Sequence, residues 1–360
     1  MVDPLSQNRL GIQEQVPLAP MTTIGIGGPA KYFAAAHTRE QLQALIAWAR
    51  ARDLAFFVLG GGSNLLFGDD GFNGLVIHMQ LKGIDSVPLD DGRVRVTAAA
   101  GENWDAFTAY CVAKGWAGIS CLSGIPGLVG AAPIQNIGAY GQEVAQTIFA
   151  VTALDLESGT IQRRNNADCE FAYRDSIFKR RLRGRAVVLS VTFDLKPGGT
   201  PQPTYPELVK RLDGQLDLAT VRETVLAIRR EKSMVADADD PNARSCGSFF
   251  TNPMIDAAAY AAFQERCPTD HPAWPMDGGR VKLSAAWLIE RSGFHKGYVA
   301  GGAGLSQKHC LAVINRANAK ASEILALKET IQQGVLTTFG IELEPEPLLL
   351  SEDPIWSKNC

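Results

Sequence analysis

The sequence predicts an α+β fold built as two successive units, and three observations carry that prediction. Short apolar strands alternate with helix-spaced segments over the first half of the chain. A Gly/Pro-rich break, KPGGTPQP at 196–203, has the composition of a linker. Beyond it a second mixture of helical patterns and short strands begins. The 360 residues suffice for two or three domains with a buried core, and 46% hydrophobic content fits an ordinary soluble globule.

After a polar leader over 1–20, TREQLQALIAWARARD at 38–53 carries apolar residues at helical spacing, and AFFVLG reads as a buried strand entering the turn GGGSN. LVIHM, the stretch around LKGIDSV, and RVRVTAAA follow as short strands. NWDAFTAYCVAKG at 103–115 reads as a helix. ALDLESGTIQRR is a hairpin turning at Ser158 and Gly159, and AVVLSVTFDL is a long, partly alternating strand. Past the linker, Thr220 and Glu223 offer a capping box for a helix running to about Arg230. Further helices are expected near 257–266, 283–291 and 322–338, and no internal repeat signals a solenoid.

A net charge of −3 and a pI near 6.0 argue against a general nucleic-acid binder. KRRLRGR at 179–185 is a local exception, read as a solvated hairpin tip or as an attractor for a phosphorylated ligand. The seven cysteines are odd in number and scattered without a CxxC pair, the pattern of reduced structural thiols in a cytosolic protein. The first twenty residues lack the apolar core of a signal peptide and nothing later supplies a membrane anchor, so a cytoplasmic location is expected. No metal-ligand cluster stands out.

The most informative stretch is LSGIPGLVGAAPIQNIGAYG at 122–141, which has five glycines, two prolines and no charge. It is too broken for a helix and too apolar for a solvated loop. Such backbone suits burial against a large flat body, because glycine lets another group approach closely and irregular N–H groups can bond ring or phosphate oxygens. A tightly packed crossover without a ligand accounts for it equally well. LGGGSNLLF at 59–67 follows an apolar strand with three glycines whose N–H groups could surround a pyrophosphate, yet it lacks the GK[ST] ending of a P-loop. Two such backbones in one region suggest a dinucleotide with a flat head. GIGGPA at 25–30 matches a dinucleotide fingerprint as a string, but a poor strand precedes it and Pro29 interrupts it. It reads as a turn, and a nicotinamide-binding Rossmann domain is not expected.

Three polar motifs remain. In YRDSIFKRR, Arg174 could fork onto a substrate carboxylate or simply pair with Asp175. CGSFFTNP places Ser248 after a glycine, without the GxSxG context of a serine hydrolase, and Cys246 beside it reads as a small buried residue. IELEPEP sets Glu342, Glu344 and Glu346 at period two, so all three should share one strand face. Prolines on both sides of Glu346 suggest the end of strand pairing, where a side chain can project into a cleft.

Taken in order, GGGSN, IPGLVGAAPIQNIGAYG, YRDSIF, the tyrosine loop PTYPEL, GSFFTNP and LEPE resemble the UDP-N-acetylenolpyruvoylglucosamine reductases, from about Thr23 to Glu346. The resemblance implies two α+β subdomains that hold FAD, of the vanillyl-alcohol-oxidase kind, over 21–200 with a split near 70–80. It further implies a separate α+β substrate domain over 201–340, and a final strand and tail over 341–360. It is similar to the longer, tyrosine-loop form. Carried over position by position, Arg174 is the electrophilic arginine, Ser248 the proton donor and Glu346 the carboxylate partner. Tyr205, Lys232 and Asn252 match positions that hold the UDP part, and Tyr173 and Lys282 are further substrate residues. The FAD set is Gly60, Gly61, Gly62, Ser63, Asn64, Pro126, Gly127, Gly130, Ala131, Ala132, Gln135, Asn136, Gly138 and Tyr140.

The implied activity is NADPH-dependent reduction of an enolpyruvyl UDP-sugar in peptidoglycan precursor synthesis, by a monomer with no nucleic-acid partner and no membrane insertion. The chain departs from the family pattern in two places. SMVADADDPNARS follows Lys232 where a KLPDP segment is usual, and Ala131 and Ala132 stand where some members have hydroxyl residues. Two rivals stay open: a flavin oxidase of the same cofactor fold acting on another substrate, and a non-catalytic nucleotide-sugar binder.

Overall fold

A computed structural model describes residues 4–267, 270–353 and 355. Residues 1–3 of the leader and Cys360 lie outside the described residues. The N-terminal layer is a four-stranded sheet in the order Gln13–Pro17, Pro29–Ala36, Phe72–Met79, Phe56–Leu59. Its last three strands run parallel, and the helix Arg39–Arg50 connects two of them. The expected helical spacing places Leu42, Leu45, Ile46, Trp48 and Ala49 on the buried face, and Thr38 caps the N-terminus by accepting from the Gln41 N–H at 3.1 Å.

A six-stranded antiparallel sheet follows, in the order Ile161–Asn165, Ile148–Asp155, Ala186–Pro197, Val94–Ala99, Ile84–Pro88, with Trp116–Ala117 pairing the end of its long central strand. The helix Trp104–Ala113 packs on it through a cluster of Trp104, Phe107 and Phe193, the two phenylalanine rings lying 5.1 Å apart. Leu154, Val187 and Leu189 from this sheet share a core with Tyr32, Leu45 and Ile77 of the first layer. The two layers are thus closed against each other, leaving the turn after Phe56–Leu59 and the 122–141 stretch at their common edge.

The chain beyond residue 240 forms two three-stranded sheets, Met254–Ile255, Val281–Leu283, Ala273–Pro275 and Val299–Ala300, Ala303–Leu305, Val313–Asn315. Helices Ala257–Arg266, Ala285–Arg291 and Ala321–Phe339 cover them, around a core of Phe249, Phe250, Phe263, Leu288, Ile324 and Ile331. The GIGGPA segment is indeed no strand-turn-helix unit. The carbonyls of Gly25 and of Ile24 just before it accept from Asn315 Nδ2 at 3.2 and 3.1 Å, which docks this region on the first layer.

Two local expectations need correction. The helix after the linker is Leu218–Glu231, and its cap is Asp217, whose carboxylate accepts from the Thr220 N–H at 2.9 Å. Asp217 is at least as good a cap as Thr220 and lies one turn earlier, so the helix starts there. Together with Pro206–Leu212 this helix packs Leu208, Val221, Val225 and Ile228 onto Cys121, and Arg222 grips Asp105 with two bonds of 2.6 and 2.8 Å. The second correction concerns IELEPEP. Residues 341–346 are extended with Ile341 and Leu343 buried, but they join no strand ladder, and the three glutamates do not share one face. Glu342 and Glu344 stay exposed, whereas Glu346, between two prolines, turns into the central cavity.

Candidate active site

A cavity of about 1550 Å³ opens where the layers meet. That exceeds the space one small ligand takes up, commonly about 300–1,000 Å³, and leaves room for a dinucleotide and a second molecule end to end. One wall is the turn that the strand Phe56–Leu59 delivers. Gly62 adopts φ +62, and a Cβ there would lie 1.9 Å from the Met21 carbonyl oxygen. A Cβ on Gly61 would lie 2.7 Å from the Gly127 Cα. Only glycine lets the two uncharged segments approach this closely. The N–H groups of Gly61, Gly62 and Ser63 donate to no other described residue, so they remain available to an anionic ligand.

The expected FAD residues divide into two groups. Gly60, Gly61, Gly62, Ser63, Asn64, Pro126, Gly130, Ala131, Ala132, Gln135, Gly138 and Tyr140 all line the cavity. Gly127 and Asn136 lie next to lining residues without lining it themselves. Gly127 is packed behind the wall against Gly61, and its carbonyl accepts from the Trp104 N–H at 3.0 Å. Asn136 is buried, its amide donating to Glu143 at 2.9 Å and to the Ala172 carbonyl at 3.0 Å while accepting from the Ala145 N–H at 3.0 Å.

Arg174, Ser248 and Glu346 come from three distant parts of the chain and line the same cavity. Ala172 and Asp175 exchange both backbone hydrogen bonds, leaving Tyr173 and Arg174 at the tip of a tight turn with Arg174 at φ +53. Arg174 Nη2 donates to the Gly138 carbonyl at 2.7 Å, and Nε lies 3.4 Å from Glu346 Oε1. The same Oε1 accepts from Gln135 Nε2 at 3.2 Å, and Asn64 Nδ2 donates to Gln135 Oε1 at 2.6 Å and to the Glu346 carbonyl at 3.3 Å. The Glu346 N–H donates to the Phe249 carbonyl at 2.9 Å, which sets the glutamate beside Ser248. Burial pushes the Glu346 carboxyl above the usual range, while Arg174 and Lys179 pull it down.

The expected substrate residues lie farther along the cavity. Tyr173 is partly buried, burial raises the pKa of its hydroxyl, and its ring lies 5.3 Å from Lys282 Nζ. Asn252 accepts from the Ala285 N–H at 3.0 Å. Tyr205 caps the helix Pro206–Leu212 with its ring 5.5 Å from that of Tyr140, and Lys232 donates to Glu207 at 2.6 Å.

The divergent loop after Lys232 is tied down by Asp240, which accepts from Ser233 at 2.5 Å and Lys308 at 2.8 Å, and by Asn242, which accepts from the Gln307 N–H at 2.9 Å. The sequence reading missed Lys179, Arg229 and His309, which also line the cavity. The one signal available for Lys179 was its place directly after YRDSIF.

Residues 239–350 match the family of the UDP-N-acetylenolpyruvoylglucosamine reductase C-terminal domain, and 30–165 match an FAD binding domain family. UDP-N-acetylenolpyruvoylglucosamine reductase of Thermobifida fusca is 45% identical over 346 residues, 93% of this chain and 97% of that one. The Burkholderia multivorans reductase is 42% identical over 353 residues, 96% of this chain and 99% of that one. The chain belongs to the UDP-N-acetylenolpyruvoylglucosamine reductase family. In fold, the crystal structure of the Thermus caldophilus reductase superposes with a TM-score of 0.63 at 24% identity, covering 94% of this chain and 97% of that one. As a reductase of this family the chain is an FAD-dependent oxidoreductase that uses NADPH. The glycine-walled cavity with its free N–H groups fits that cofactor. Among the described residues no helix is long and apolar enough to cross a membrane.

Proposed function

We propose that Arg174, Ser248 and Glu346 carry out the chemistry of the family's reaction, the reduction of the enolpyruvyl group of UDP-N-acetylglucosamine enolpyruvate to give UDP-N-acetylmuramate for peptidoglycan. The observation that supports this reading is their convergence in one cavity with the Arg174–Glu346 pair at 3.4 Å. When bound, FAD supplies the hydride, having received it from NADPH. That hydride adds to the terminal carbon of the enol double bond, and negative charge spreads from the neighbouring carbon into its carboxylate.

The chain's own residues meet this charge. The Arg174 guanidinium faces the substrate carboxylate, in a site where the surrounding apolar walls strengthen its field. Glu346, its carboxyl raised by burial, stabilises the same group through whatever proton it retains. Ser248 delivers its hydroxyl proton to the carbon bearing the ether oxygen. Tyr173, Asn252 and Lys282 on one side and Tyr205 and Lys232 on the other hold the nucleotide. The same reading has the enzyme acting in the cytoplasm as a monomer, without nucleic acid.

The test is a two-step spectral titration. NADPH should bleach the flavin absorbance of the purified protein under anaerobic conditions, and the enolpyruvyl UDP-sugar should restore it. Initial rates with both substrates varied should give parallel lines, because both use one cleft in turn. Intersecting lines, or a bleached flavin that the sugar nucleotide leaves unchanged, would refute the proposal.

A further inference from the structure

The basic run 179–185 leaves Arg180, Arg181 and Arg185 exposed to solvent, as expected, and it also straps the Tyr173–Arg174 turn. Ser176 anchors one leg by donating to the Ile134 carbonyl at 2.6 Å, and Arg180 holds the other by contacting the Asp175 carboxylate and donating to the Glu170 carbonyl at 3.1 Å. Arg183 pairs with the buried Asp353. Lys179 reaches the tip itself, where its Nζ donates to the Arg174 carbonyl at 3.0 Å. That carbonyl belongs to a non-glycine residue at φ +53, a conformation that persists only when its surroundings impose it. The guanidinium is tied by its Nη2 bond to the Gly138 carbonyl and by the longer contact with Glu346, both of which it must share once a carboxylate ligand arrives. The Lys179 bond holds the backbone in either case.

We propose that Lys179 is a positioning residue, which fixes the left-handed Arg174 turn through the Arg174 carbonyl and so aims the guanidinium at the substrate carboxylate. The inference rests on the role given to Arg174 above. A one-ångström misplacement of a charge partner commonly costs about 100-fold in rate.

Lys179→Met should therefore slow reoxidation of the reduced flavin by the enolpyruvyl UDP-sugar by about 10- to 100-fold. Its bleaching by NADPH, and the affinity for UDP alone, which lacks the carboxylate, should stay at the wild-type level. Lys179→Arg, which retains a donor, should recover most of the rate. In an Arg174→Ala background Lys179→Met should cause no further loss in single turnover, because the lysine acts through the arginine.

A Lys179→Arg variant as slow as Lys179→Met, an additional loss in the Arg174→Ala background, or a parallel loss of UDP affinity would each overturn the proposal. If Arg174→Ala itself leaves reoxidation intact, the reading of the site fails. If Arg174→Ala is impaired and Lys179→Met is not, only the positioning role fails.

Discussion

Arg174 Nε lies 3.4 Å from Glu346 Oε1, an ion pair longer than a normal N–H···O hydrogen bond. Both partners are mostly buried, with side chains 20% and 13% exposed. The guanidinium spends its shorter bond on the Gly138 carbonyl, and Oε1 shares itself with Gln135. The pair is held near contact without being closed, and a planar cation so placed can accept a new carboxylate with little rearrangement.

This geometry makes Arg174→Lys a severe change despite the conserved charge. An ammonium cannot donate to the Gly138 carbonyl and face both Glu346 and a substrate carboxylate from one fixed plane. We expect reoxidation by the sugar nucleotide to fall at least ~100-fold, with NADPH bleaching retained. Stopped-flow absorbance of each half-reaction checks it, and a lysine variant within a few-fold of wild type would remove the guanidinium's planarity from the argument.

Ser248→Ala separates the half-reactions in another way. Loss of a positioned acid typically costs about 10²–10⁴ in rate. The loss should fall entirely on reoxidation by the enolpyruvyl substrate, since NADPH bleaching needs no proton at the ether carbon. Equal activity of the variant in both half-reactions would exclude Ser248 as the acid.

That the three proposed catalytic residues line one cavity was legible because their motifs follow one another along the chain, each beside glycine, proline or aromatic residues. What depended on tertiary neighbours was not. Period two places Glu342, Glu344 and Glu346 together, and it took the prolines at 345 and 347 to turn Glu346 alone into the cavity. Asn136 sits among cavity residues in sequence, yet its amide bonds to Glu143, Ala145 and Ala172. Lys179 looked like the start of a basic run because its partner, the Arg174 carbonyl, is a backbone atom that no composition argument can see. Thr220 looked like the helix cap, and the bond from its N–H to the Asp217 carboxylate shows that the helix starts one turn earlier.

Gly61→Ala tests the glycine wall. Its Cβ would stand 2.7 Å from the Gly127 Cα, a backbone contact that cannot yield by side-chain rotation, so the two cofactor segments must separate. Overpacking of this kind costs about 1–3 kcal/mol. The purified variant should carry substoichiometric FAD, read from the ratio of absorbance at the flavin band to that of protein. It should melt lower and recover part of the difference when FAD is added. Full flavin content with an unchanged melting temperature would show that the wall tolerates a methyl group.

His309 gives a pH signature. Burial, together with the nearby Lys232 and Lys296 charges, holds its imidazole down to about 4, from an ordinary value of 6.5. Between these limits the unfolded chain binds a proton that the folded chain refuses, so stability falls as pH falls through that window and the slope vanishes below it. The whole window is worth at most about 3 kcal/mol. His309→Gln, which cannot titrate, should lose this contribution: relative to its own value at pH 7, its unfolding free energy should drop less than that of wild type by pH 4.5. Urea unfolding at the two pH values measures the difference. Parallel pH profiles would mean that the imidazole takes up its proton equally readily in the folded and unfolded protein, so that neither burial nor Lys232 and Lys296 perturbs it.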